Sequence, residues 1–156
     1  VRRLLQREED LKEYYSSVLS AFELDDGHFL HKEDKSFFEK MMQIIDSHIQ
    51  NTDLSVELLS SSLGYSTRQF YRKLKNVTEK TPADIIREYR LTIVERLLLT
   101  TQLSIEEIMD KTGFSNRGTF YKAFAQKFEM TPKQYRNIKT KDVHDVSEEG
   151  GGTMNV

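Results

Sequence analysis

Residues 66–75 read STRQFYRKLK. Written on a helix, Phe70 and Leu74 are four apart and share one face, while Arg68, Tyr71, Arg72 and Lys75 line the opposite side. The exposed side is then basic and rich in hydrogen-bonding groups, so its chemistry is charge pairing and recognition rather than bond making. Ser66 followed by Gln69 matches a capping box, in which the hydroxyl takes an orphan backbone N–H and the amide reaches back. Taken alone, the stretch also fits a solvated surface helix. Other chemistries are poorly served. There is no Cys, and so no thiolate nucleophile, disulfide or thiolate metal site. The serines form no Gly-x-Ser-x-Gly elbow, and no carboxylate pair sits in a recognisable pocket sequence. His28 and His31, near Asp25, Asp26, Glu33 and Asp34, have spacing that a metal could use, but Asp26-Gly27 reads as a linker turn. No metal, cofactor or catalytic residue is expected, and the chain is not expected to be an enzyme.

The elements that would position such a face follow from composition and charge. At 156 residues, with Leu, Ile, Glu, Lys and Arg abundant and two prolines, the chain is expected to be helical. No apolar run approaches the roughly 20 residues of a membrane span. The chain opens on Val1 rather than Met, as a piece of something longer would. The formal net charge of −2 hides a strong segregation. Residues 64–90 carry seven basic and three acidic side chains and 111–141 carry eight and one, whereas 1–34 carry five and nine and 142–156 none and four. Two positive islands in an acidic chain are the electrostatic footprint of a binding face.

The islands are copies of each other. LSVELLSSSLGYSTRQFYRKLKNVTEKTPADI from residue 54 aligns with LSIEEIMDKTGFSNRGTFYKAFAQKFEMTPKQY from residue 103, with an offset of 49 as far as the Ser and 50 beyond it. Leu54 falls on Leu103, Leu59 on Ile108, Gly64 on Gly113, Phe70 on Phe120, Tyr71 on Tyr121, Leu74 on Phe124, and Thr81-Pro82 on Thr131-Pro132. Each copy parses as helix, tight turn, helix. Gly64 and Gly113 stand where the turn needs a positive φ, and Thr-Pro then opens the next helix, Thr as cap and Pro in its first position. The second helices are expected at about 67–77 and 117–128. From Pro82 to about Leu99 apolar residues recur on two stripes, Ile85, Tyr89, Ile93 and Leu97 beside Ile86, Leu91, Val94 and Leu98, so this helix is expected to be buried by more than one neighbour. Phe37, Phe38, Met41, Met42, Ile44, Ile45 and Ile49 mark a bracing helix from about 35 to 50.

At this point the chain resembles a known family. FFEKMMQIIDSHIQ through ERLLL, followed by IMDKTGF, TFYKAFAQKF and MTPKQYR, is similar to the DNA-binding domain of AraC-type bacterial transcription regulators over about residues 35–137. The resemblance implies an all-α fold of about seven helices, with two helix-turn-helix subdomains joined by a long shared linker helix. Domains are expected at 1–34 (an upstream connecting helix), 35–141 (the DNA-binding domain, with helix-turn-helix units at about 54–78 and 103–128) and 142–156 (a disordered acidic tail). Carried over by position, the base-reading face falls on Thr67, Arg68, Tyr71 and Arg72 in the first unit and on Arg117, Gly118, Tyr121 and Lys122 in the second. Ser66, Lys73, Lys75, Ser115 and Lys127 would meet phosphates. Glu79 and Glu129 stand where the family usually has Gly after the second helix, and Gly118 falls on a recognition helix.

The implied partner is double-stranded DNA, with RNA polymerase a further one. FYRKLK and the opening VRRLLQREEDLKEYYSS resemble the version found at the C-terminal end of hybrid two-component sensor regulators, after receiver and sensor domains. The implied location is cytoplasmic, with the full-length protein anchored in the inner membrane in the hybrid case. Leu4, Leu11 and Val18 recur every seven residues but Glu8 breaks the seam, so a monomer or weak dimer is expected. A second function class stays open at this stage: a helical protein–protein module of the same fold that has lost DNA contact, which the acidic net charge favours.

Overall fold

The computed structural model describes Glu9, Lys12 and residues 32–140. The expected heptad segment, the two linker histidines and the acidic tail lie outside the described residues. Within them are seven helices and no strand: α1 (Lys32–Ser47), α2 (Val56–Ser62), α3 (Thr67–Val77), α4 (Pro82–Thr100), α5 (Ile105–Thr112), α6 (Arg117–Phe128) and α7 (132–140). The all-α expectation of about seven helices therefore holds. The chain divides into two compact units between Ile93 and Val94, within α4.

In the first unit the apolar stripe of α1, made of Phe37, Phe38, Met41, Met42 and Ile45, is buried together with Leu59 of α2 and with Phe70, Leu74 and Val77 of α3. Ser55 caps α2 by accepting from Leu58 N at 3.2 Å. The turn into α3 is made by Gly64 at φ +80°, a left-handed geometry that costs glycine little. Tyr65 N then donates to Ser60 O at 2.9 Å, the six-to-one bond of a Schellman ending. α4 closes the unit: Tyr89 Oη donates to Asp46 Oδ1 at 2.6 Å and Arg90 Nη2 donates to Asn51 O at 2.8 Å.

The second unit repeats the plan. Ser104 caps α5 through Glu107 N at 3.1 Å, and Gly113 ends it at φ +79°, with Phe114 N donating to Met109 O at 3.0 Å. Val94 and Leu98 of α4, Ile108 and Met109 of α5, Phe120, Ala123 and Phe124 of α6, and Tyr135 of α7 are buried. Thr131 and Gln134 cap α7 reciprocally, Gln134 N donating to Thr131 Oγ1 at 3.2 Å and Thr131 N to Gln134 Oε1 at 3.0 Å. Tyr135 Oη donates to Glu95 Oε2 at 2.6 Å, and Arg136 Nε donates to Leu98 O at 3.0 Å. α6 ends differently from α3. Glu129 takes the left-handed cap at φ 60° that a glycine would occupy more cheaply, whereas α3 ends at Thr78 in extended conformation.

Candidate nucleic-acid interface

The first recognition element is α3. Its capping box is complete: Gln69 N donates to Ser66 Oγ at 3.2 Å and Ser66 N donates to Gln69 Oε1 at 3.0 Å. A cap of this kind is worth about 1 kcal/mol. Phe70 and Leu74 lock the inner face, with the Phe37 ring 5.8 Å from that of Phe70 and 5.7 Å, edge-on, from that of Tyr65. The outer face presents Arg68, Arg72 and Lys75, all exposed and with no ion pair among the described residues. Tyr71, 47% exposed, stands beside them with its ring edge-on to Phe70. Thr67 is half-buried at the head of the helix. Ser66 spends one lone pair on the cap, and its O–H is left to donate. Lys73 turns another way: its Nζ is 3.6 Å from Asp34 Oδ1 and 5.8 Å from the centre of the Phe37 ring, so it ties α3 to α1.

α6 is the second recognition element. Phe120, Ala123 and Phe124 are buried, and the Phe114 ring lies 5.0 Å from Phe120. Its cap is Asn116, whose Oδ1 accepts from Thr119 N at 2.9 Å. The residue inserted between the two repeat offsets is thus the one that caps, and Ser115, exposed, lies one step before it. Gly118 and Lys122 occupy the outer face. A Cβ added at Gly118 would lie 3.3 Å from Asn116 Oδ1, so a side chain there would crowd the capping atom. Tyr121 is half-buried. Arg117 is engaged: Nη1 donates to Glu106 Oε1 at 2.7 Å, Nη2 donates to Tyr121 Oη at 3.3 Å, and the guanidinium carbon lies 5.2 Å from the Tyr121 ring centre. Lys127 lies five residues from Lys122, well round the helix, with its Nζ 5.5 Å from the Phe128 ring.

The residues carried over from sequence therefore form two clusters, Arg68, Tyr71, Arg72 and Lys75 on α3 and Arg117, Gly118, Tyr121 and Lys122 on α6, while Lys73 and Lys127 fall outside them. Two residues escaped sequence reasoning. Asn116 could have been found as the residue that shifts the repeat offset. Glu106 could have been found only by asking which carboxylate on α5 faces the start of α6.

Two helix-turn-helix units, each offering a capped second helix with an exposed polar face, define a double helix-turn-helix protein. Comparison with known proteins agrees. A helix-turn-helix domain model matches residues 59–138. Histidine kinase P4 of Formosa agariphila is 34% identical over 104 residues, which is 67% of this chain and 8% of that protein. Regulatory protein SoxS of Escherichia coli K12 is 30% identical over 103 residues, covering 66% of this chain and 95% of SoxS. Among solved structures, the C-terminal domain of the two-component response regulator yesN from Fusobacterium nucleatum is 28% identical with a TM-score of 0.60, covering 65% of this chain and 98% of that one. The chain belongs to the AraC-type helix-turn-helix family, whose domains bind DNA in transcription regulation and are not enzymes. Among the described residues no helix is long and apolar enough to cross a membrane.

Proposed function

We propose that this domain is the sequence-reading output of a bacterial two-component regulator, and that α3 and α6 enter adjacent major grooves of one duplex. The observation that carries the reading is the outer face of α3: three exposed cations with no ion pair among the described residues, on a helix fixed by its cap and by Phe70 and Leu74. Arg68 and Arg72 can each donate a fork of hydrogen bonds to guanine O6 and N7, and Tyr71 can offer its ring to a thymine methyl or its hydroxyl to a phosphate. Lys75, Ser66 and Ser115 meet phosphates and set register. On α6, Lys122, Arg117 and Tyr121 do the reading, with Gly118 leaving the groove floor open.

The two-component assignment is supported by the likeness to a response regulator's C-terminal domain and to a short stretch of a histidine kinase. Upstream receiver and sensor parts, action in the cytoplasm and contact with RNA polymerase belong to the same reading. Selection from a random duplex pool followed by footprinting tests it. One domain should protect two non-identical boxes whose centres are about 10 base pairs apart on one DNA face. Inserting about five base pairs between the boxes should abolish simultaneous engagement. Unchanged affinity after the insertion would mean that one unit alone holds the DNA.

A further inference from the structure

We propose that Glu106 is the specificity-determining positioning residue of the second recognition helix. It holds the Arg117 guanidinium against Tyr121, so that Arg117 reads a base edge instead of pairing with whichever phosphate is near. This deepens the DNA-binding reading above and rests on it.

The geometry is a three-point clamp. Glu106, in the first turn of α5, accepts from Arg117 Nη1 at 2.7 Å, Tyr121 Oη accepts from Nη2 at 3.3 Å, and the Tyr121 ring lies under the guanidinium at 5.2 Å. The link spans 11 residues and joins the two helices of one helix-turn-helix unit, yet its partners stay open to solvent, at 65% for Arg117 and 62% for Glu106. Three of the five guanidinium N–H groups remain available to a ligand. A planar fork held at three points gives up less rotamer freedom on contact than a free one.

Charge decides which ligand benefits. With Glu106 beside it, Arg117 brings little net attraction to phosphate, the sequence-independent part of affinity. Its remaining N–H groups can still meet guanine O6 and N7, where sequence is read. The clamp therefore subtracts from indiscriminate binding while preserving readout. The first unit lacks the device: the repeat places Glu57 at the position of Glu106, but Thr67 at the position of Arg117. The second unit is also where readout depends most on one arginine, because Gly118 and Ala125 replace Arg68 and Lys75 on the outer face.

The test uses the full 156-residue chain, a duplex selected for tight binding, single base-pair variants of its second box, and a random-sequence duplex. Glu106→Gln should tighten random-duplex binding and steepen its salt slope by about 0.9 as Arg117 is freed for phosphate. The same substitution should narrow discrimination at one second-box base pair about two- to five-fold, the range an exposed, well-oriented ion pair can supply. Arg117→Ala should abolish that discrimination, and Glu106→Gln should then add nothing. Unchanged discrimination in Glu106→Gln, with the wild type discriminating, overturns the clamp and leaves the DNA-binding reading intact. Equal tightening on selected, mismatched and random duplexes would make Glu106 a simple repulsive charge and also overturn it. If the wild-type chain shows no salt-dependent duplex binding, the DNA-binding reading fails and the clamp falls with it.

Discussion

Removing the cations of the two recognition helices separately should reveal how unequal the units are. α3 presents Arg68, Arg72 and Lys75 to solvent without ion pairs among the described residues, whereas the outer face of α6 presents Lys122, with Arg117 held by Glu106. On a random-sequence duplex no guanine is matched to Arg68 or Arg72, so each exposed cation is free to neutralise a phosphate and to contribute about 0.9 to the slope of log affinity against log salt, up to about 2.7 for the three on α3 and about 0.9 for Lys122. A four-fold rise in salt should then cost the wild type about forty-fold in affinity through α3 alone, but between three- and four-fold through Lys122. Fluorescence anisotropy on that random-sequence duplex at 50 to 200 mM salt measures this directly. Arg68→Ala/Arg72→Ala/Lys75→Ala should flatten the slope several times more than Lys122→Ala. On a selected duplex, where Arg72 donates a fork to guanine, Arg72→Ala alone should cost about 1–3 kcal/mol at that base pair. Equal flattening by the triple and the single substitution would refute the inequality, since it would mean that most α3 cations do not reach phosphates.

Three further outcomes concern the scaffold. Glu129→Gly should raise the melting temperature: relieving a non-glycine left-handed residue returns about 1–2 kcal/mol, glycine's unfolded-state freedom takes back about 0.5–1, and the net gain is worth a few degrees by thermal circular dichroism. Asn116→Ala should lower stability by about 1 kcal/mol and Ser115→Ala by under about 0.5, because the cap belongs to Asn116; the reverse order in thermal melts would place the cap on the serine. Burial, with the hydrogen bond to Glu95, pushes the Tyr135 hydroxyl up to about 12 from its ordinary 10.0, so the folded state keeps a proton that the unfolded state loses. Its contribution is whole below pH 10.0 and drains away as pH rises to about 12, and Tyr135→Phe should remove that alkaline loss from denaturant midpoints relative to wild type.

Much of the fold was legible because its signals are local. Serine caps, Gly64 and Gly113 at the turns, and Phe or Leu pairs four apart each follow from the physics of a single helix or turn, and each recurs in the repeat. The exposed side of α3 was legible for the same reason: Phe70 and Leu74 are buried, and the opposite side follows by geometry. What was not legible depends on partners distant in sequence. Lys73 is as basic as Arg72, and its place three residues after Phe70 already sets it beside the inner face, but nothing in the sequence names Asp34 and Phe37 of α1 as the groups it meets. Arg117 looks free in sequence, and Glu106, 11 residues earlier, makes it otherwise. The acidic net charge pointed towards a protein–protein module, whereas the family and the clustering of cations on α3 point to DNA.

The repeat also extends further than the linear alignment reveals. In the first unit a Tyr-Arg pair on α4 bonds back to the segment before the helix-turn-helix, Tyr89 to Asp46 and Arg90 to the carbonyl of Asn51. In the second, Tyr135-Arg136 on α7 does the same, to Glu95 and to the carbonyl of Leu98. Tyr89 lies seven residues after Pro82 and Tyr135 three after Pro132, a difference of about one helical turn that leaves the pair on the same face but breaks the fixed offset. The chemistry explains the pairing: a phenol hydroxyl donates to a carboxylate, while a guanidinium donates to a backbone carbonyl, that of Asn51 in the turn beyond α1 and that of Leu98 in the last turn of α4. α4 therefore serves twice. Its earlier residues supply the Tyr-Arg pair that closes the first helix-turn-helix, and its later ones, Glu95 and Leu98, receive the pair that closes the second. The dual use accounts for two buried stripes, Ile85, Tyr89 and Ile93 on one and Leu91, Val94 and Leu98 on the other, in a helix that a single helix-turn-helix unit would need to be apolar on one side only.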